Sequence, residues 1–371
     1  MIRLVPALLA AAFFGVGPAQ AEEAAPLAPA VREAAQSAPG LALGAVAVRC
    51  AGGIDTAQDG PTRADGHDPL SPDARFNIGS NAKSMLASLA AVLVADGVIG
   101  WDTEVGAVFA AEAATLDPVL RHATLAQLLS HRSGAPAYSS GADLSALTVA
   151  PGDPGAQRLA VALQILRGPP AHAPGTQTLY SNAGYIIAGA MLERVGGAPF
   201  DTLMRERLFA PLGMTHTTFG DPTTGEAGQP LGHHLSDGVR TVYLDAEPAI
   251  PPFLQPAGNV SLSLHDYGLY LREHLCGLTG GPTRALSPEA VRFLHRPQGE
   301  DGVALGWGAY AFDGVPASIH VGGTGIFSAF VAVLPDRDIA VATVVNSGDP
   351  EGRQAALSLL QTLVADRLAA P

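Results

Sequence analysis

The chain has 371 residues, 47% of them apolar, with 34 acidic against 21 basic side chains and a formal net charge of −13. That length suits one large domain or two lobes around a substantial core. The acidic balance, with no basic patch, makes nucleic acid and anionic membrane surfaces poor partners.

Residues 1–21 combine one early charge, Arg3, an apolar run from Leu4 to Val16, and Ala19-Gln20-Ala21 as a small-x-small cleavage site. The pattern predicts a secretory signal peptide and a mature chain that starts at Glu22 in the periplasm. The apolar run is shorter than the roughly 18 residues a span needs. No later stretch reaches that length, and no cysteine follows the cleavage site to carry a lipid, so the mature form is expected to have no membrane anchor. Cys50 and Cys276 are the only cysteines, and the sequence leaves open whether they pair or stay as two buried thiols.

Pro26 to Ser37 reads as a short helix, and Leu41 to Arg49 as a strand turned back at Gly52-Gly53. From Ser80 to about Arg296 the period is mostly helical, broken by Pro/Gly-rich loops at 150–156, 168–175 and 220–232. Within it, Thr124 to Ser130 and Asp201 to Phe209 are short amphipathic helices, the second with Asp201 as N-cap and Pro211 beyond its end. Strand-like runs follow at Ala304–Phe312, Ser318–Val321, Phe327–Leu334 and Ile339–Asn346, then a helix from about Glu351 to Leu368. Strands at both ends around a helical middle predict an α/β protein of the α+β type. One antiparallel sheet, flanked by helices, is assembled from both termini, with an inserted helical lobe. The expected organisation is a single bilobed domain over 26–371: a sheet lobe of about 26–79 plus 297–371, and a helical lobe of about 80–296.

The chemistry centres on Gly79-Ser80-Asn81-Ala82-Lys83-Ser84, which opens a helix running to Gly97. Lys83 is the only lysine, the other basic residues being arginine. Arginine stays protonated and cannot serve as a base, so a chemical reason for the lysine is expected. Three apart on a helix, Ser80 and Lys83 share a face, where a desolvated amine can take the serine's proton. The helix N-terminus adds unpartnered N–H groups and the positive dipole end where an oxyanion would form. The ordinary alternative is an N-cap serine beside a solvated lysine.

Two further groupings point the same way. Leu179-Tyr180-Ser181-Asn182 precedes a helix to Val195 closed by Gly196-Gly197. Tyr180 either packs as an aromatic or shares the proton transfer, and Asn182 either caps the helix or orients a substrate amide. His320-Val321-Gly322-Gly323-Thr324-Gly325 leaves a strand for a turn. Its glycines allow a substrate to lie along the backbone, and the N–H of Gly323 can join that of Ser80 as an oxyanion hole. No G-K-[ST] follows, so a phosphate loop is excluded.

Three constellations in the order S-x-x-K, Y-x-N and H-x-G resemble the penicillin-recognising serine hydrolases, nearest to class C β-lactamases, D,D-peptidases, D-aminopeptidases and related esterases. The likeness extends to Arg75–Asp102, Leu128–Gly134, Tyr180–Val195, Phe209–Met214, Pro256–Gly258 and Gly306-Trp307. It implies a β-lactamase/transpeptidase-like fold and an acyl-enzyme mechanism. Ser80 would be the nucleophile, Lys83 its base and Tyr180 a partner in proton transfer. Asn182, His320 and Gly322 would contact substrate, and the backbone of Ser80 and Gly323 would form the oxyanion hole. Expected substrates are small esters, D-amino-acid peptides or β-lactams, with no cofactor and no metal. Many members have K-T-G at the third motif. With H-V-G a permanent cation is lost, which favours esterase- or peptidase-like activity over efficient β-lactam hydrolysis.

The eleven histidines offer no H-E-x-x-H, and no G-x-S-x-G elbow exists, which disfavours a metalloenzyme and an α/β-hydrolase. The remaining alternative is a penicillin- or peptidoglycan-fragment sensor that uses the same cleft without turnover.

Overall fold

In the computed structural model, which describes residues 26–149, 151–222, 226–244 and 249–369, apolar strands from both ends of the chain meet in one sheet. The signal-peptide assignment to residues 1–21 lies outside the described residues. The first strands are β1 (Leu43–Val48), β2 (Ile54–Asp59) and β3 (Arg75–Asn77). Short strands β4 (Thr217–Phe219), β5 (His233–Ser236), β6 (Val239–Val242) and β7 (Val260–Ser263) interrupt the middle. The last are β8 (Gly308–Phe312), β9 (Val315–Gly323), β10 (Ser328–Leu334) and β11 (Ile339–Val345). The main sheet is antiparallel, in the order β2-β1-β11-β10-β9-β8.

The period of two along these strands divides the core between the sheet's faces. Leu43, Ala45, Phe330, Ala332, Val341 and Val345 face one cluster, with Leu27 and Val31 of helix α1 (Leu27–Ser37). Val46, Val48, Ala329, Val331, Ala342 and Val344 face a second, larger cluster continuous with the helical region. That region contains α2 (Ala82–Ala95), α3 (Leu125–Leu129), α4 (Pro154–Arg167) and α5 (Asn182–Gly196). Helix α6 (Leu264–Thr279) crosses behind β1, β2 and β11, and α7 (Pro350–Ala369) covers β10 and β11 beside α1.

Helix α2 is hydrophobic nearly all round, and eleven of its fourteen residues are buried, Lys83 among them. A helix of that kind belongs in the interior, with its N-terminus fixed by its surroundings. Cys50, just past β1, forms a disulfide with Cys276 of α6, and a side chain at Gly281 would overlap the Cys50 sulfur. A cross-link across 226 residues stabilises by about 2–4 kcal/mol, chiefly through the unfolded chain.

Two expectations for the middle of the chain are corrected. Helix start at Phe200 puts Pro199, not Asp201, at the N-cap. The chain then stays helical through a π-turn at Arg205–Phe209 and on to Leu212, past Pro211. Pro211 lies in the last turn of this run, after the π-turn, and Gly213 at φ +79° ends it. The second correction is β7, whose outer partners are β3 and β4. Its Val-Ser-Leu-Ser is too short and too polar to announce a strand, yet all four residues are buried.

Candidate active site

A single 3₁₀ turn, Gly79–Asn81, carries Ser80 between β3 and α2. Asn77 accepts the Gly79 N–H (2.9 Å) and donates to Asn259 Oδ1 (3.0 Å), bracing the turn from below. Gly79 has φ +50°, and a side chain there would meet the Gly323 backbone N at 2.5 Å. This close approach packs the Gly323 backbone against the turn that carries Ser80.

Lys83, one turn on, is fully buried, with Nζ 3.1 Å from Ser80 Oγ and 2.5 Å from the Ala257 carbonyl oxygen. Burial pushes its pKa down, while the charge and hydrogen bond of Tyr180 oppose the shift. From the far side, Tyr180 OH lies 2.8 Å from Ser80 Oγ. With both neighbours donating, the hydroxyl is poised but not activated. Activation requires one of them to accept, and burial favours the neutral amine of Lys83 for that role.

His320 lies within β9, opposite Val331, and its Nδ1–H donates to the Gly306 carbonyl at 2.7 Å. That bond fixes the neutral tautomer with Nε2 as an acceptor. Burial, then the charge of Lys83, lowers its pKa to about 4. At that value the ring is neutral at physiological pH. Gly322 differs from expectation in its reason: a side chain there would overlap the Ile78 carbonyl, so the strand needs glycine to pack against the nucleophile's own turn. Asn182 is the first residue of α5 and donates through Nδ2 to the Tyr138 carbonyl (3.0 Å). The cap is Ser181, which accepts the Gly184 N–H.

Ser80, Lys83, Tyr180 and Gly323 thus converge, with His320 behind them on β9. Two contributors carried no role in the sequence reading. The Ala257 carbonyl lies in the Pro256–Gly258 stretch, but a backbone acceptor has no side-chain signal. Arg353, on the first turn of α7, sets its Nη1 where a side chain at 323 would begin, 2.9 Å from that position, and bonds Ser328 Oγ at 3.4 Å rather than a carboxylate. Among the described residues no group of three His, Cys, Asp or Glu side chains converges as a metal site, and no helix is long and apolar enough to cross a membrane.

The family model described as Beta-lactamase matches residues 27–366. Penicillin-binding protein 4 of Amycolatopsis lactamdurans is 29% identical over 294 residues, covering 75% of this chain and 74% of that protein. The crystal structure of SurE with D-Leu superimposes with a TM-score of 0.71 at 26% identity, covering 93% of this chain and 74% of the other. D-amino acid amidase from Ochrobactrum anthropi SV3, complexed with L-phenylalanine amide, shares the fold with a TM-score of 0.72 at 19% identity, over 92% of this chain and 96% of the other.

Proposed function

The chain belongs to the Beta-lactamase family, a family of serine hydrolases, and on that premise we propose that it cleaves ester or amide bonds through an acyl-enzyme on Ser80. One observation carries the reading: Ser80 Oγ lies between Lys83 Nζ at 3.1 Å and Tyr180 OH at 2.8 Å. Neutral Lys83 takes the hydroxyl proton as Oγ attacks the carbonyl carbon. The N–H groups of Ser80 and Gly323 receive the oxyanion, and Tyr180 passes a proton to the leaving group while taking from Lys83 the one that came from the serine, which leaves both groups as they began. Water then repeats the cycle on the acyl-enzyme.

The preferred substrates in this reading are short-chain esters and D-amino-acid amides or peptides, with β-lactams turned over weakly. Neutral His320, with Nε2 as acceptor, offers a carboxylate no ion pair from β9, and this supports the preference for neutral substrates. Any carboxylate would be met instead by Arg353, beyond Gly323. SurE, 26% identical, has been solved with D-Leu, which supports the D-amino-acid side.

Export belongs to the same proposal. The leader-like residues 1–21 and the Cys50–Cys276 disulfide both support a periplasmic site of action. Purified protein assayed in parallel with a short-chain aryl ester, a D-alanyl peptide and a β-lactam tests the substrate class. Turnover of the ester or peptide well above that of the β-lactam is expected. A burst without turnover on all three would favour the sensor alternative, and efficient β-lactam hydrolysis would overturn the preference.

A further inference from the structure

Tyr180 reaches Ser80 from an awkward place. It is 41% exposed and lies on an irregular segment just before α5, with little packed over it. A phenol that must hold a 2.8 Å contact needs its backbone and ring fixed by something.

One residue does all of that. His131 accepts the Leu179 N–H at its backbone oxygen (2.8 Å) and the Ser181 N–H at its ring Nδ1 (3.0 Å), so it holds the residues on both sides of Tyr180. Its ring also lies against the Tyr180 ring, with centroids 4.5 Å apart, and against Tyr185 at 5.2 Å. Tyr185 in turn is anchored through its OH on the Leu129 carbonyl (2.6 Å). Because Nδ1 accepts from a backbone N–H, the ring is neutral with its proton on Nε2.

The backbone of His131 makes the arrangement pointed. It follows α3, where Arg132 N bonds Gln127 O (2.8 Å) and His131 N bonds Leu128 O (3.4 Å), the two bonds of a Schellman closure. The C′ position of that motif is left-handed, and His131 has φ +60° there. Glycine, or failing that asparagine, is the ordinary occupant, since other side chains are strained in that region. A histidine kept where glycine is the easier residue points to a use for its ring.

We propose that His131 is a positioning residue that fixes Tyr180 against Ser80, so that its loss slows acylation rather than substrate binding. The proposal rests on the reading of Ser80 and Tyr180 as the reacting pair. Two variants separate the parts of the role. His131→Gly relieves the backbone strain but removes both ring contact and Nδ1 acceptor. His131→Asn tolerates the left-handed backbone, and its Oδ1 stands where Nδ1 was, so it keeps the Ser181 bond and loses only the ring.

The experiment measures, for each protein, melting temperature, the rate of covalent labelling by a fluorophosphonate, and kcat and KM on an aryl ester. Expected for His131→Gly, assayed well below its melting temperature, are a kcat and labelling rate lower by about 10- to 100-fold and a KM changed less than about threefold. His131→Asn should recover part of the rate. Equal rates in all three proteins, a loss confined to KM, or a loss that only follows a lowered melting temperature would overturn the positioning role. A parent enzyme that is not labelled at Ser80 would instead overturn the site reading on which the role depends.

Discussion

Lys83 Nζ sits 4.9 Å over the ring of Tyr180, so the two groups that reach Ser80 are also in contact with each other. Tyr180 stabilises the protonated amine, while complete burial disfavours it. Substrate that changes the water or charge around Tyr180 therefore acts directly on the proton that Lys83 must lose.

Lys83→Arg follows as the sharpest single substitution. Arginine keeps the charge but cannot give up its proton, so it should be nearly as damaging as Lys83→Ala, each lowering kcat by about 10²- to 10⁴-fold. Steady-state kinetics on an aryl ester check this. An arginine variant with most of its activity would make Lys83 an electrostatic residue. The same account has ester activity rising with pH, with an apparent pKa below 10.5, the ordinary lysine value from which burial lowers Lys83.

His320 titrates too low to act as a switch at physiological pH. With its pKa lowered to about 4, it stays neutral from about pH 5.5 upward. The ratio of kcat/KM for a carboxylate-bearing substrate to that for a neutral ester should therefore show no inflection near pH 6.5 that depends on His320. An inflection there that His320→Gln abolishes would contradict this placement. Arg353→Ala is expected to reduce the carboxylate substrate's kcat/KM by several-fold and leave the ester little changed.

How far the sequence carried depended on whether a feature had a local signature. Strands β10 and β11 are long apolar runs and were readable within a residue or two, as was the helix Asn182–Gly196 that Gly197 closes. Strand β7 was not, because its burial comes from neighbours at positions 75–77 and 217–219. Ser80 and Lys83 were readable because one lysine stands among arginines. Arg353 was not, since nothing local distinguishes it from those other arginines until α7 brings it to Gly323. The state of His320 was also out of reach, since histidine beside a glycine-rich turn says nothing of its desolvation or of the Gly306 carbonyl.

Gly322→Ala tests the packing of β9 on the nucleophile's turn. The added carbon overlaps the Ile78 carbonyl, so either the strand or the turn must shift. Overpacking of this kind costs about 1–3 kcal/mol. Loss of most activity with a lowered denaturation midpoint is expected. Full activity at unchanged stability would mean that the strand and turn are not so close.

Stability should fall on the acid side of neutrality. Burial lowers the pKa of His131 and His274 to about 3 and of His320 to about 4. The unfolded chain, with histidines near their ordinary value of about 6.5, binds more protons than the folded one between those limits. Their contribution to stability is complete above about pH 6.5 and is lost as pH falls toward 3–4. Thermal denaturation from pH 8 to 4 should show a melting temperature that is level at first and then drops below about pH 6. A level curve down to pH 4 would mean these rings are solvated.

The central claim is that Ser80 is acylated, and intact-protein mass spectrometry after exposure to a fluorophosphonate or penicillin tests it most directly. One adduct is predicted, mapped to Ser80 in the digested protein and absent from Ser80→Ala. Labelling that persists undiminished in Ser80→Ala would contradict the account.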